Sequence, residues 1–327
     1  MAMKPAVLKE KAKGVIHLVM TPFTSDEELD LASLKKAVEH VATSLKGTDA
    51  VFLTTGSTGE CYAMTDEESE KVIATVVEAV NGAFPVMAGT GRCGTRWTIK
   101  ASQKAQSLGA DGVMVVNPFY HLVTTEGLYR HFKEVAENID IGIMVYNNPV
   151  TSKLWIPPEL MARLSKVPNI VLDKENSSNV VSYYWTQKLV DRKDMEIVCG
   201  LGQLFFAFEA LFNCPGYVTE LANFAPTLAS DLYRAAKAHD TAKLQNLIDR
   251  ISLYHAFISK CVARHGSIPT VLSPLISIPD LPLYQSVCKN AMDLTGLCGG
   301  KTRRPMEEIT SDEKAELKRV LSEMEVL

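Results

Sequence analysis

Val167-Pro168-Asn169-Ile170-Val171-Leu172-Asp173-Lys174 is an apolar run that ends in a lysine. Its apolar residues are consecutive, whereas a strand with one wet face would alternate. The run therefore reads as a strand covered on both faces, as in a parallel sheet. Outward from it, runs of the same character occur at Val15–Met20, Ala50–Thr54, Pro85–Ala88, Gly112–Val116, Ile141–Tyr146, Glu196–Cys199 and Gly216–Thr219; with Asn169–Leu172 they make eight.

Between the runs the periodicity becomes helical. Leu31 to Leu45 places Leu34, Val38, Val41 and Leu45 on one face. Thr65 to Val80 opens with Thr65-Asp66-Glu67-Glu68, a capping box. Trp97–Leu108 and Leu128–Ile139 follow, and Pro157-Pro158 opens another helix in its first turn. Eight β-then-α units before His239 predict an α/β fold, a closed (β/α)8 TIM barrel. A doubly wound open sheet is the structural alternative, although it usually has fewer strands. After His239 the pattern turns all-helical, at Asp240–His265, Ile268–Ile276, Leu281–Leu294 and Ser311–Met324. The expected organisation is an N-terminal tail at 1–13, a catalytic barrel at 14–240 and a helical extension at 241–327 packed on the barrel.

The chain of 327 residues carries a formal net charge of −4 and no large block of one sign. That argues against nucleic-acid binding, which usually leaves a basic stripe. Residues 1–13 are polar and Lys-rich with no apolar region after them, so no signal peptide is expected. No apolar run reaches the roughly 18 residues that a membrane span needs. The seven cysteines are scattered, without a CxxC pair, which suits a reducing cytoplasm better than a disulfide framework. The seven histidines show no metal-ligand spacing, and neither a metal nor a cofactor is expected.

Gly89-Thr90-Gly91-Arg92-Cys93-Gly94 matches a dinucleotide-binding GxGxxG. The fingerprint also wants an acidic residue at the end of the next strand, about 20 residues on. That strand ends in Asn117-Pro118, and Asp111 stands at its start, the wrong end. The segment reads as a plain βα loop. Gly56-Ser57-Thr58-Gly59-Glu60 directly follows the second strand. Its glycines let backbone N–H groups turn inward beside two hydroxyls, a nest suited to a small anion such as a carboxylate. Tyr146 closes the fifth strand, at the barrel end where such enzymes do chemistry. Lys174 closes the sixth. A lysine buried there is costly to keep charged, desolvation lowers its pKa, and a neutral amine attacks a ketone to form an imine. The protonated imine stabilises a carbanion on the neighbouring carbon, which aldol cleavage, addition or elimination needs. A solvated, inert lysine is the ordinary alternative.

Taken together, these residues resemble the dihydrodipicolinate synthase / N-acetylneuraminate lyase family of class I aldolases. The likeness runs from about Gly14 to Arg304. It is carried by Met20-Thr21-Pro22-Phe23, Gly56–Glu60, Asn117-Pro118-Phe119-Tyr120, Val145-Tyr146-Asn147-Asn148-Pro149, the strand ending in Lys174, and Gly296–Gly300 with Arg304-Pro305. The resemblance implies that Lys174 forms a Schiff base with pyruvate or another 2-oxo acid. It makes Tyr146 the proton shuttle, with Ser57 hydrogen-bonded to it, and gives the substrate carboxylate to Thr58 and the backbone of the Gly56 loop. Tyr120 matches a tyrosine that reaches into a neighbouring subunit's site, which implies a homo-oligomer, a dimer of dimers. The carbonyl of Val218 matches a position lining the site.

Three positions depart from the best-known members. Synthases using aspartate semialdehyde carry an arginine where this chain has Thr151. Sialic-acid lyases carry an Asp-Glu pair where Gly200 is followed by Leu201-Gly202-Gln203, and a serine where Glu220 stands. Strand alternation turns Asn176 inward with Lys174, and Glu175 away. Thr151, Asn176, Gln203 and Glu220 are therefore the specificity candidates. The expected activity is retro-aldol cleavage of a 2-keto-3-deoxy sugar acid to pyruvate and an aldehyde. Dehydration or deamination of a related 2-oxo acid, condensation as in dihydrodipicolinate synthase, and a sensor without turnover are the alternatives.

Overall fold

A computed structural model describes residues 3–266 and 282–327. The predicted helix Ile268–Ile276 and the first residue of the predicted Leu281–Leu294 lie outside them. A first helix, α1 (Pro5–Lys11), precedes β1 (Gly14–Leu18) and α2 (Leu31–Ser44). Next come β2 (Ala50–Thr54), α3 (Asp66–Val80), β3 (Val86–Gly89) and α4 (Thr95–Ser107). They are followed by β4 (Gly112–Val116), α5 (Thr125–Glu137) and β5 (Gly142–Asn147), then by α6 (Pro149–Ser152) and α7 (Pro158–Leu164). The barrel is completed by β6 (Ile170–Glu175), α8 (Val180–Leu189), β7 (Glu196–Cys199), α9 (Gly202–Glu209), β8 (Gly216–Thr219) and α10 (Pro226–Lys237). The extension is α11 (Thr241–His265), α12 (Tyr284–Leu294) and α13 (Ser311–Glu323).

The eight strands close in sequence order, all parallel, with β8 pairing β1. That closure excludes the open doubly wound sheet. Consecutive strand residues face opposite sides. Ile16, Leu53, Met87, Met114, Met144, Leu172, Val198 and Val218 fill the barrel interior, while Val15, Phe52, Ala88, Val113, Val145 and Ile197 pack under the outer helices. With both faces buried, neither needed polar residues, and the strand runs stayed unbroken. The Thr65 capping box forms as expected, with the Thr65 hydroxyl on Glu68 N–H and the Glu68 carboxylate on Thr65 N–H. Gly89 to Gly94 joins β3 to α4 as a βα loop.

Residues 5–11 are not a tail. They form α1, whose Leu8 is fully buried against the interior cluster at the N-terminal mouth of the barrel. A Cβ at Gly112 or Gly142 would come within 2.4 and 2.8 Å of Leu8 Cδ2, so two strand-opening glycines make room for this plug. The sixth strand carries a second departure. The β5–β6 register slips between Ile143 and Met144, which pair with Ile170 and Leu172 and leave Val171 as the extra residue. Ile170 packs outward, whereas Val171 and Leu172 both join the interior cluster. Such a bulge re-aims the side chains after it. Past it, alternation resumes with Lys174 and Asn176 inward. Among the described residues no helix is long and apolar enough to cross a membrane.

Candidate active site

The C-terminal ends of the strands open into a cavity of ≈ 450 Å³, within the range of small-molecule sites. Lys174, Tyr146, Ser57, Thr58, Val218, Asn176, Thr151, Gln203 and Glu220 all line it. The sequence singled out each of them, and the barrel brings them together from β2, β5, β6, β7, β8 and the segments that follow them. Gly56 and Tyr120 do not line it. The Gly56 carbonyl accepts from Cys61 N–H and closes the loop's turn. Tyr120 lies beyond β4, highly exposed, its ring edge-on to His121.

Lys174 is 3 % exposed and its Nζ stands 3.8 Å from the centre of the Tyr146 ring. The pair is adjacent because Tyr146 and Lys174 are register partners on β5 and β6. A Cβ at Gly200 would lie 2.1 Å from Asn176 Oδ1 and 2.9 Å from Lys174 Cγ, so only glycine leaves the lysine stem its space. Glu175 points away, buried, accepting from Asn147 Nδ2 at 2.9 Å and Ser177 N–H at 2.8 Å.

The Tyr146 hydroxyl is held by Asn148, not by Ser57. Asn148 Nδ2 donates to Tyr146 Oη at 2.7 Å. Asn148 Oδ1 is occupied by the N–H groups of Val150 and Thr151, as the N-cap of α6. With its acceptor committed, Asn148 can only donate to the phenol, and the Tyr146 proton is left free to point elsewhere. Asn148 lines the cavity yet escaped the sequence reading, where it was one letter of a motif. It is a positioning residue, and Asn148→Asp separates its two tasks. Aspartate still caps a helix but has no N–H to give. The variant is expected to keep its melting temperature and lose about tenfold in kcat, a part of the 10²–10⁴ that positioned proton transfer contributes. An unchanged kcat would remove Asn148 from the site's chemistry.

The C-terminal extension supplies one wall. His255, Ala256, Ile258 and Ser259 of α11 and Tyr284 of α12 line the cavity. His255 Nε2 lies 3.8 Å from Glu220 Oε1, and Tyr284 donates to Thr58 Oγ1 at 3.3 Å. Below the loop, fully buried Lys289 of α12 donates to Glu60 at 2.5 Å, and Glu60 also accepts from Arg303 N–H at 2.8 Å. The Gly56–Glu60 loop is thus bolted to the extension by an ion pair without solvent access.

Behind Lys174, outside the barrel wall, lies a second group of acids. Asp173 is fully buried with neither carboxylate oxygen hydrogen-bonded; burial and the neighbouring Glu175 and Glu209 push its pKa well up. Burial raises Glu175 to about 7 and Glu209 to about 8 from an ordinary 4.5. Folded values above unfolded ones favour folding fully below about pH 4.5 and lose that contribution as pH rises through 7 and 8. The melting temperature is therefore expected to fall from pH 6 to pH 9, and Glu209→Gln to flatten the fall. A flat profile in the parent protein, measured by thermal melts across that range, would show these acids to be ionised at little cost.

A family model described as the dihydrodipicolinate synthetase family matches residues 11–262. The chain belongs to the dihydrodipicolinate synthetase family. It is 32 % identical over 312 residues to 4-hydroxy-tetrahydrodipicolinate synthase of Methanosphaerula palustris, covering 95 % of this chain and 98 % of that one. It is 35 % identical over 244 residues to the enzyme of the same name from Pseudomonas aeruginosa, covering 74 % and 81 %. Among solved structures it is similar to YagE of Escherichia coli K12, a prophage protein of the dihydrodipicolinic acid synthase family crystallised with pyruvate. There the TM-score is 0.83 at 25 % identity, covering 97 % of this chain and 99 % of that one. The chain is accordingly a class I, Schiff-base aldolase/lyase of the dihydrodipicolinate synthetase family.

Proposed function

We propose that this family member cleaves a 2-keto-3-deoxy sugar acid to pyruvate and an aldehyde. The observation that carries the reading is the cavity wall. Its described residues include no arginine, and no lysine but Lys174, with Thr151 where synthases of the family carry their arginine. A second anionic end on the substrate would find no arginine and no second lysine among those residues, whereas a polyhydroxylated end meets amide, hydroxyl and carboxylate groups.

In this reading Lys174 Nζ attacks the C2 carbonyl and the carbinolamine loses water to give the iminium. Tyr146 supplies the proton that leaves with that water. The C4 hydroxyl then gives its proton to the Tyr146 phenolate, the C3–C4 bond breaks, and its electron pair enters the iminium as an enamine. Protonation at C3 and hydrolysis release pyruvate and free the lysine. Thr58 and the backbone of Ser57 and Thr58 hold the substrate carboxylate, Ser57 extends the relay from Tyr146 once substrate is bound, and the Val218 carbonyl lines the lysine's side of the site. No cofactor is required for these steps. Pyruvate release from a panel of 2-keto-3-deoxy acids tests the reading. No release from any of them, with condensation of pyruvate and aspartate semialdehyde instead, would replace it with the activity that the named relatives carry.

The same proposal includes a homo-oligomer, a dimer of dimers. Two features support it. Tyr120 is exposed and outside its own chain's cavity, free to complete a neighbour's. Val181 and Trp185 on α8, with Phe208 and Leu211 on and after α9, are exposed apolar side chains of a kind that a second copy covers. A monomer in sedimentation equilibrium would dismiss this part. A cytoplasmic location is proposed on the seven free thiols alone.

A further inference from the structure

We propose that Tyr284, a residue of the C-terminal extension, sets the direction in which the Thr58 hydroxyl donates and so prepares it for the carboxylate of the 2-oxo acid. The inference rests on the readings that Lys174 forms the imine and that Thr58 holds that carboxylate. A threonine hydroxyl has one proton to give and two lone pairs to share. The Tyr284 hydroxyl donates to Thr58 Oγ1 at 3.3 Å, and no other hydrogen bond engages that oxygen among the described residues. With one lone pair taken by the phenol, the Thr58 proton is left for the cavity that both side chains line. A carboxylate arriving there meets a donor, whereas the reverse direction would present lone pairs to an anion. Burial pushes the Tyr284 pKa well up, and Tyr146, Tyr62 and Glu220 nearby add to the rise, so the phenol keeps the proton that it donates.

The contact is held by its neighbours on α12. Three side chains of that helix grip one short stretch of chain: Tyr284 on Thr58, Lys289 on Glu60 at 2.5 Å, and Gln285 Nε2 on Tyr62 Oη at 3.2 Å. The stretch needs such support. Thr55 and Glu60, at the two ends of the loop, have φ of 51° and 57°, left-handed conformations that persist in such residues only where the surroundings enforce them. On its other side the loop lies hard against the residues after β1, where a Cβ at Gly59 would come 2.8 Å from the Val19 carbonyl. The loop is thus clasped between the end of β1 and α12, and Tyr284 is the part of the clasp that reaches a hydroxyl of the cavity. It acts through Thr58 and is a positioning residue.

The test reads borohydride-trapped pyruvate adduct on Lys174 against pyruvate concentration, in the full chain, for the parent, Tyr284→Phe, Thr58→Val and the double variant. Tyr284→Phe keeps the ring and removes only the donor. Its half-saturation is expected to rise about three- to tenfold, the worth of one neutral hydrogen bond, while saturating pyruvate still labels Lys174. Thr58→Val loses a hydrogen bond to a charged carboxylate and should raise half-saturation about ten- to hundredfold. In the Thr58→Val background, Tyr284→Phe should add less than about twofold, because the hydroxyl that it directs is gone. An unchanged half-saturation in Tyr284→Phe, or the same rise in both backgrounds, overturns the proposal and leaves the imine standing. A Thr58→Val half-saturation equal to the parent's overturns the carboxylate role of Thr58 and the proposal with it. Absence of any Lys174 adduct in the parent overturns the imine reading itself.

Discussion

Lys174→Ala is expected to lower turnover by about 10⁴-fold or more, the scale on which loss of a covalent nucleophile is felt. No neighbour can replace it: among the described residues lining the cavity, Lys174 is the only amine. The fold should survive. The variant removes a nearly buried side chain that sits over the Tyr146 ring and carries no hydrogen bond among the described residues. A melting temperature at or above the parent's, together with lost turnover, is the expected pair of results. Turnover retained within tenfold would mean that the amine does not form the covalent intermediate.

Lys289→Met is expected to be the costliest single change away from the chemistry. Lys289 and Glu60 are both completely buried, 2.5 Å apart. Burial lowers the lysine's pKa, and Glu60 pulls it back. Removing one partner of such a pair strands a buried charge and costs about 3–5 kcal/mol. Replacing both is far milder, so Glu60→Gln with Lys289→Met should recover most of the loss while keeping an acceptor for Arg303 N–H. Because Glu60 closes the loop that bears Ser57 and Thr58, the single variant should also raise KM for the 2-oxo acid more than it lowers kcat. Denaturant melts of the two singles and the double give the coupling. Additive losses would show that the pair is not the bolt between loop and extension.

The barrel was legible because a parallel sheet under helices needs apolar residues on both faces, and unbroken runs record that need directly. The inward direction of Lys174 and Asn176, and the outward one of Glu175, followed from period-two alternation. The Val171 bulge did not, since a register slip leaves no trace in hydropathy. The plug helix α1 was read as a tail because one buried leucine, Leu8, does its packing amid lysines. The cavity wall from α11 and α12 was invisible for a different reason. His255 and Ser259 are polar residues one turn apart on a long helix, and nothing local says that the helix lies across the mouth of a barrel. Asn148 was missed because its role is a choice of hydrogen-bond direction. Asp173 and Glu209 gave no signal either, since a carboxylate in a chain looks the same whether a neighbouring helix buries it or not.

The central claim is the covalent bond at Lys174. Incubation with pyruvate, reduction with borohydride and peptide mass spectrometry test it most directly. The account predicts a reduced pyruvate adduct on Lys174, absent from Lys174→Ala. No adduct, or an adduct confined to another lysine, would contradict it.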